Sequence, residues 1–293
     1  MSIIIFFVAY WMSSQSSISS SVNSQMNSAE SLPGFNKQAW LLPDDALLGF
    51  VEIPAGEFTM GSNPALDRMA YENERWSNLQ RQGSVQLSSF YINRYEVTIA
   101  QFRQFVEDTG IAIDPAALQG DPSTPVSSIT WPQAIAYTQW LEGKMRNSPQ
   151  TPAPLMASLE AGAKISLPTE AEWEKAARTD DGRTFPWGSQ PTSEFANFAG
   201  EGKRSVGFYA CASCAFGLSD MAGNVWEMTR SPLQPYPYDA EDDDENLAED
   251  ALWVMRGGSY ADTINNIRSA VRGGVDPGVR NNTIGFRVVI SPH

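Results

Sequence analysis

The chain has 293 residues, of which 34 are acidic and 20 are basic, so its formal net charge is −14. This charge argues against a nucleic acid or an anionic membrane surface as a partner, because both bind basic patches. Hydrophobic residues make up 42% of the chain and include 9 Trp, which is enough for one sizeable core. The single histidine is the last residue, His293, which excludes histidine-based metal sites and histidine-dependent triads.

The N-terminal residues 1–31 resemble an export signal followed by a linker. Residues 3–11 are apolar over the length of a signal-peptide core and are too short to span a bilayer, and residues 13–31 are rich in Ser, Asn and Gln. We expect an exported protein, in the periplasm or cell envelope, with no membrane span beyond this possible signal or anchor. The basic residues of a signal are missing, and the alternative is a frayed N-terminus of a cytoplasmic protein.

The composition is even over residues 47–291, which we interpret as one domain. Residues 50–60 alternate around a Pro-Ala-Gly turn and predict two strands in a hairpin; residues 85–95 predict a further strand, and residues 284–290 a buried one. Capping boxes that begin at Thr98, Thr130 and Thr169 predict helices over residues 99–109, 131–146 and 170–178. With 22 Gly and 19 Pro, the fold class is α+β, loop-rich, with short strands and about three helices.

A series of motifs gives the chain a family resemblance. In chain order they are Pro54-Ala-Gly-Glu-Phe-Thr-Met-Gly61, Tyr95-Glu-Val-Thr98, Pro125-Val126, Leu167-Pro-Thr-Glu-Ala-Glu-Trp-Glu-Lys-Ala-Ala-Arg178, Phe185-Pro-Trp-Gly188, Phe216-Gly-Leu-Ser-Asp-Met-Ala-Gly-Asn-Val-Trp-Glu227, Arg256-Gly-Gly-Ser-Tyr260 and Gly285-Phe-Arg287. Together they resemble the formylglycine-generating enzyme family, also called the sulfatase-modifying factor family. The resemblance implies a variant of the C-type-lectin-like fold.

The resemblance leaves the activity open. Sulfatase-activating members bind copper through a C-x4-C pair that follows the Gly-Gly-Ser-Tyr motif, whereas residues 261–268 of this chain contain no cysteine. Asp262 and its neighbouring amides cannot replace soft thiolates for Cu(I), so the sequence argues against copper. The resemblance implies that the iron-dependent members need a histidine cluster and a further helical domain, so with His293 as the single histidine we do not expect their activity here.

The resemblance also implies a structural calcium site. Carried over position by position, its ligands are Asp220, Gly223, Val225 and Glu227, and such carboxylate and carbonyl oxygens suit Ca²⁺. The alternative is an ordinary Gly-Asn turn with an exposed Asp. Asn197-Phe198 resembles the start of a second calcium site, but the loop that follows it is shortened.

Three further groups of residues have open interpretations. Cys211 and Cys214 predict a short disulfide; the alternatives are a copper or redox pair, reduced thiols, or part of a zinc site. The acidic residues 239–250 predict a solvated insertion. Trp226, Ser259 and Arg268 are cleft candidates because their motifs line the family's substrate cleft. Arginines near the C-terminus are expected to brace loops rather than to recognise a substrate: Arg256, Arg268, Arg272, Arg280 and Arg287.

These observations favour an exported maturation or accessory factor that acts on a peptide or protein client without the copper pair. If it is an enzyme, it is of the oxidoreductase type. The alternative is a pseudoenzyme, a lectin-like module that binds a protein or glycan, because only Cys211 and Cys214 offer redox chemistry and no acid/base set is visible.

Overall fold

The structure is a computed structural model that describes residues 45–243 and 251–292. The signal-like residues 1–31 and His293 lie outside the described residues. The described part contains four α-helices and ten short strands joined by long loops. The helices are α1 (Ile99–Thr109), α2 (Trp131–Asn147), α3 (Ala153–Glu160) and α4 (Glu170–Arg178). The strands are β1 (Phe50–Ile53), β2 (Gly56–Met60), β3 (Gly83–Leu87), β4 (Phe90–Asn93), β5 (Lys164–Ser166), β6 (Trp226–Pro232), β7 (Trp253–Arg256), β8 (Gly273–Val275), β9 (Ile284–Gly285) and β10 (Val289–Ser291).

The three predicted helix starts are confirmed. Thr98 and Thr169 cap their helices in complete capping boxes, and in all three helices the N3 side chain bonds back to the backbone N–H of the cap residue, Thr98, Thr130 or Thr169. These reciprocal bonds satisfy N–H groups that the first turn of a helix leaves unpaired. The sequence therefore located α1, α2 and α4 correctly, and α2 extends only one residue beyond its predicted end.

Helix α3 was not predicted. Pro152 precedes it and provides no side-chain cap, so the Ser/Thr start signal is missing. Leu155 and Leu159 are four residues apart on one face, and both are buried in the main core. Tertiary burial of this short face, rather than a local signal, accounts for the helix.

The hairpin predicted over residues 50–60 is wrong in its pairing. Strands β1 and β2 both form, but β1 pairs with β4, whereas β2 pairs with β3 in a separate sheet. Phe50 of β1 is buried in the main core, while Phe58 and Met60 of β2 are buried in a smaller cluster. Strands β1 and β2 lie in different sheets because their side chains are buried in separate cores. For the same reason, the single strand predicted over residues 85–95 is divided between β3 and β4.

The C-terminal run connects the two larger sheets. Their strand orders are β1-β4-β10-β5 and β8-β7-β6-β9. Strand β9 pairs in parallel with β6, and three residues later β10 enters the other sheet. Phe286 and Val288, between the two strands, are fully buried, so the run is buried as predicted but is not one strand. Trp131 of α2 stacks on Trp253 of β7, with ring centroids 4.3 Å apart, inside the main core.

The start of the acidic segment is folded onto the protein. Of residues 239–250, the structure describes only the first five, in which Ala240–Asp242 form a 3₁₀ turn. The side chain of Asp243 accepts hydrogen bonds from the hydroxyls of Ser231 and Tyr238. Burial raises the pKa of Asp243 to about 7. The expectation of a fully solvated insertion is therefore wrong at this residue.

No helix in the described residues has both the length and the apolar character needed to cross a bilayer.

We predict that Glu174→Ala strongly destabilises the protein. Glu174 is fully buried, and its carboxylate accepts from Arg178 at 2.8 Å, from Gly61 N–H at 2.8 Å and from Arg256. Its removal leaves buried guanidinium groups uncompensated, which costs about 3–5 kcal/mol of unfolding free energy. Urea denaturation measures the loss. Glu72→Ala, at an exposed ion pair with Arg75, is the control and should cost less than about 1 kcal/mol. Equal losses in the two variants would contradict the prediction.

We predict that Asp243→Asn removes part of the pH dependence of stability. Because the pKa of Asp243 is about 7 in the folded protein and about 4 in an unfolded chain, the folded state binds the proton more tightly. The wild type therefore loses stability as pH rises from about 4 to about 7, by at most about 1.4 kcal/mol per pH unit from this group.

The measurement compares unfolding free energies of the two proteins across this pH range. The asparagine variant should gain on the wild type as pH rises, whereas Asp242→Asn, at an exposed neighbour, should not. A constant difference between wild type and Asp243→Asn would refute the prediction.

Candidate functional site

Asp262 is the centre of the predicted cleft. Its Oδ2 accepts from the indole Nε1 of Trp226 at 2.9 Å, and from the backbone N–H and hydroxyl of Ser259 at 3.0 and 2.6 Å. Its Oδ1 accepts from the amide of Asn266 at 2.8 Å. The structure thus brings two of the three cleft candidates, Trp226 and Ser259, together on one carboxylate.

The backbone around this site makes a tight turn that only glycine permits. Gly257 and Gly258 have φ angles of 92° and 72°. A Cβ atom on Gly258 would lie 2.6 Å from the carbonyl oxygen of Asn266. A side chain at this position would therefore separate Ser259 and Asp262 from the 3₁₀ turn that carries Asn266.

The carboxylate of Asp262 accepts four hydrogen bonds, three at Oδ2 and one at Oδ1. Its four hydrogen bonds hold the side chain as an acceptor and fix its orientation. Five positions further on, at the spacing of a C-x4-C pair, the chain places Ile267, which is completely buried. A hard carboxylate and an alkyl group cannot hold Cu(I).

The third cleft candidate, Arg268, is not open to a client. Its guanidinium is fully buried and bonds to Glu74 at 2.6 and 2.9 Å and to Asp67 at 2.6 Å. It lies 5.2 Å from the ring centroid of Tyr71, whose hydroxyl donates to Asn266 at 2.8 Å. Arg268 therefore supports the cleft from below through Tyr71, a residue that the sequence analysis did not identify.

A groove of about 630 Å³ begins next to Tyr71. Its floor includes Arg272, whose guanidinium lies 3.9 Å from the ring centroid of Tyr236 and bonds to Glu170. The Asn73 amide donates to the carbonyl oxygen of Arg272 at 3.3 Å and joins the two walls. The groove is lined mainly by amide, hydroxyl and charged side chains, with a few apolar ones: Glu72, Asn73, Arg75, Ser77, Asn78, Leu233, Gln234, Pro235, Tyr236 and Arg272.

Three of the residues implied as calcium ligands, Asp220, Gly223 and Val225, lie in one buried turn, and the fourth, Glu227, lies in strand β6, which follows it. Asp220 has a φ of 59°, and its Oδ2 accepts from Gly207 N–H at 2.6 Å. A Cβ atom on Gly223 would lie 2.2 Å from the carbonyl oxygen of Asn197, so this turn requires glycine. Burial raises the pKa of Asp220 to about 6, and the nearby charge of Glu227 also raises it.

A third carboxylate, Glu96, lies beside this turn. It is buried, and its Oε1 has no hydrogen-bond partner among the described residues. Burial, followed by the charges of Asp220 and Glu227, raises the pKa of Glu96 well above its usual range. The sequence analysis missed Glu96 as a site residue, although it lies in the Tyr95-Glu-Val-Thr98 motif.

Some oxygen atoms at this turn remain available to bind a hard cation. Glu227 Oε2 accepts from Trp173 at 2.7 Å and from Arg287 at 2.6 Å, and Oε1 accepts from Arg287 at 2.6 Å. An ionised carboxylate has about four acceptor positions, so Oε1 retains one. The carbonyl oxygens of Gly223 and Val225 accept none of the backbone hydrogen bonds that tie this turn to its described neighbours.

Within the described residues, no three His, Cys, Asp or Glu side chains are grouped so that they alone could hold a metal. Any cation at this turn therefore needs backbone carbonyl oxygens as well as carboxylates, which are the mixed oxygen ligands typical of Ca²⁺.

At Asn197, where the sequence resembles the start of a second calcium site, hydrogen bonds within the chain connect the loops. The Asn197 amide nitrogen donates to the carbonyl oxygen of Gly202 at 3.0 Å and to the Asn224 side chain at 3.1 Å. The next residue, Lys203, donates to the carbonyl oxygen of Pro125 at 2.8 Å and to the hydroxyl of Ser127 at 2.6 Å. Burial lowers the pKa of Lys203 to about 8. An ammonium group of the chain itself ties these loops together.

Cys211 and Cys214 form a disulfide, the first of the alternatives that the sequence left open. Of the arginines, Arg256, Arg268 and Arg287 are fully buried and Arg272 nearly so, which agrees with bracing of loops. Arg280 is exposed and takes no part.

Comparison with known proteins places this geometry in a family. The hercynine oxygenase of Mycolicibacterium smegmatis is 30% identical over 257 residues, which cover 72% of this chain and 54% of that protein. The chain thus spans about half the length of that relative. The formylglycine-generating enzyme of Thermomonospora curvata is 30% identical over 225 residues, covering 63% of this chain and 72% of that protein.

Among solved structures, PvdO from Pseudomonas aeruginosa superposes with a TM-score of 0.65 at 24% identity, covering 83% of this chain and 94% of PvdO. This likeness shows the predicted fold, the formylglycine-generating-enzyme variant. The family model described as the sulfatase-modifying factor enzyme 1-like domain matches residues 42–292. The chain therefore belongs to the sulfatase-modifying factor, or formylglycine-generating enzyme, family.

Proposed function

We propose that the protein is an exported maturation or accessory factor that binds a peptide or protein client in the cell envelope. The groove beside Tyr71 carries this proposal. It is open and has the volume of a ligand site, and its lining residue Glu72 follows Tyr71, whose hydroxyl donates to Asn266, a hydrogen-bond partner of Asp262. The client binds without copper–thiolate chemistry, because residues 261–268, which follow the Gly-Gly-Ser-Tyr motif, contain no cysteine.

The lining of the groove suits an extended polypeptide. Amide side chains such as Asn73, Asn78 and Gln234 both donate and accept, as backbone N–H and C=O groups require. Tyr236 and Pro235 offer apolar surface between them. Glu72 pairs with Arg75 at 3.4 Å, so the two opposite charges at the rim compensate each other and favour neither a strongly acidic nor a strongly basic client.

Two features support export. The apolar residues 3–11 have the length of a signal-peptide core. The Cys211–Cys214 disulfide lies in a partly exposed loop, and such disulfides persist in oxidising compartments. Neither feature depends on the groove.

A second candidate function is a purely non-catalytic, lectin-like module that binds a glycan. The hydrogen bonding of Asp262 favours it, because four bonds from Trp226, Ser259 and Asn266 hold this carboxylate as a fixed acceptor. Glycan-array binding that is lost in Asp262→Ala, together with no client in the groove, would favour this candidate over the first.

We predict that a photo-crosslinking amino acid at Asn78, in the groove, captures an envelope protein or peptide. The same amino acid at Glu107, on the exposed face of α1, is the matched control and should not capture it. Gln234→Ala should reduce the capture several-fold by removing one polar contact, which is worth about 1 kcal/mol.

The purified protein, supplied with copper and oxygen, should leave the cysteine of a C-x-P-x-R sulfatase peptide unchanged in mass spectrometry. Conversion to formylglycine would refute the proposed absence of thiolate chemistry. Equal capture from Asn78 and Glu107 would refute the groove as the client site.

We also propose a structural calcium ion at the turn formed by Asp220, Gly223, Val225 and Glu227. It would bind carboxylate oxygens and backbone carbonyl oxygens and hold the loops that meet there. The unpartnered Oε1 of Glu96 and the shared charge of three buried carboxylates against the single guanidinium of Arg287 support a cation at this place. Glu227 would contribute through Oε1, the oxygen with the remaining acceptor position.

We predict that calcium raises the melting temperature of metal-stripped protein. Binding to the folded state alone adds about 2.7 kcal/mol when free calcium is about one hundred times Kd. For a domain of this size the gain is about 5–10 °C. Asp220→Asn should abolish the gain, and it leaves the Glu227–Arg287 pair intact, so the variant is expected to fold. Glu241→Ala, exposed in the acidic segment, should retain the gain. Identical melting curves with calcium and with chelator would remove calcium from the proposal.

A further inference from the structure

The Cys211–Cys214 disulfide is presented at the surface. The Cα atoms are 5.3 Å apart, and the bond closes a loop with a sequence separation of only 3. Both cysteines are partly exposed, and Ala212 and Ser213 between them are exposed. A disulfide that closes so short a loop restricts the unfolded chain less than one that closes a long loop. Stabilisation of the fold is therefore a weak explanation for it.

The loop is held in place without the disulfide. Arg183 donates to the carbonyl oxygens of Ser213 and Pro186, both at 3.0 Å, and the N–H of Ala215 donates to Pro186 at 3.0 Å. The charge of Arg183 is compensated by Asp181 at 2.6 Å. These contacts keep both sulfur positions on the same scaffold whether the disulfide is closed or open.

We propose that Cys211 and Cys214 are a thiol–disulfide exchange site for a peptide or protein that presents two cysteine thiols. This inference does not rest on the function proposed for the groove. The disulfide is the oxidant and the client dithiol is the reductant.

The exchange balances in two steps. A client thiolate attacks the Sγ atom of Cys211, the Cys211–Cys214 bond breaks, and Cys214 leaves as a thiolate that takes up a proton. The second client thiolate then attacks the client sulfur of the mixed disulfide and releases Cys211 as a thiolate. The client loses two electrons and two protons and gains a disulfide, and Cys211 and Cys214 end as two thiols.

The surroundings select Cys211 as the sulfur that is attacked. Ala210 and Ala212 on either side of it are exposed, whereas Cys214 is followed by buried Ala215. The hydroxyl of Ser213 lies 3.8 Å from the Sγ atom of Cys211. As a donor to sulfur it would stabilise the Cys211 thiolate that leaves in the second step, which makes Ser213 a positioning residue.

An exposed aromatic surface adjoins the disulfide and offers the client a contact. Phe208, three residues before Cys211, is 60% exposed. The ring centroids of Phe208 and Tyr209 are 5.1 Å apart. The guanidinium carbon of Arg204 lies 5.4 Å from the ring centroid of Phe208. Such a surface favours a client with an apolar or aromatic residue near its cysteines.

The test uses a synthetic, fully reduced peptide that carries two cysteines and one Phe. The folded wild type should oxidise up to one equivalent of peptide, and maleimide labelling should show the same number of new thiols on Cys211 and Cys214. The double variant Cys211→Ser/Cys214→Ser should oxidise none. If the wild-type disulfide survives an excess of the reduced peptide and opens only in denaturant, it is a structural bond and the proposal is overturned.

Single variants test the assignment of the sulfurs. Cys214→Ser, with only Cys211, should form a mixed disulfide with glutathione disulfide at least tenfold faster than Cys211→Ser, with only Cys214. Ser213→Ala should shift the pH profile of the Cys211 reaction to higher pH. Phe208→Ser, with both cysteines present, should oxidise the peptide more slowly than the wild type does. Its disulfide should react with glutathione at the same rate as that of the wild type. Equal rates in the two single-cysteine variants, with circular dichroism showing both folded, would overturn the role of Cys211.

Discussion

Buried arginine–carboxylate pairs are the interactions on which the rest of this structure depends. Arg256, Arg268 and Arg287 have no exposed surface, and each bonds to a buried glutamate that is 82, 194 or 60 residues away in sequence: Glu174, Glu74 and Glu227 respectively. Burying a charge is costly, and removal of either partner leaves the other uncompensated. The described strands have two to seven residues, so these pairs add links between segments that the short sheets alone hold weakly.

The same pairs position the candidate sites. Besides Glu227, Arg287 donates to the carbonyl oxygen of Ser219 at 3.0 Å, and thereby fixes the residue before Asp220. Arg268 lies beneath Tyr71, and Arg272 forms the floor of the groove. The guanidinium groups face inward, so they act on a client or a cation through the loops they hold. This is why arginines in motifs of the family's cleft are buried in this chain rather than exposed to a ligand.

Local signals in the sequence predicted more of the fold than nonlocal ones. Capping boxes located three helices because the bonds that begin a helix lie within four residues. The pairing of β1 with β4 was beyond the sequence, since a Pro-Ala-Gly turn between two alternating segments has the same pattern whether or not the strands pair with each other. At the site, Trp226 and Ser259 were found through their motifs, whereas Glu96 and Tyr71 gain their roles only from residues far away in the chain. The ligation expected of the calcium turn stays a prediction.

A carboxylate can occupy the centre of this cleft because the residues that hold the loops in place are different from the residues that bond to Asp262. Among the described residues, the side chain of Asp262 bonds to residues of the cleft, Trp226, Ser259 and Asn266. The bonds that hold the surrounding loops run through Arg256, Arg268 and Arg287 instead. A change of the side chain at position 262 would therefore alter the chemistry of the cleft, while the arginine pairs would still hold the surrounding loops. In such a fold the activity follows from the few side chains at the cleft and not from the architecture.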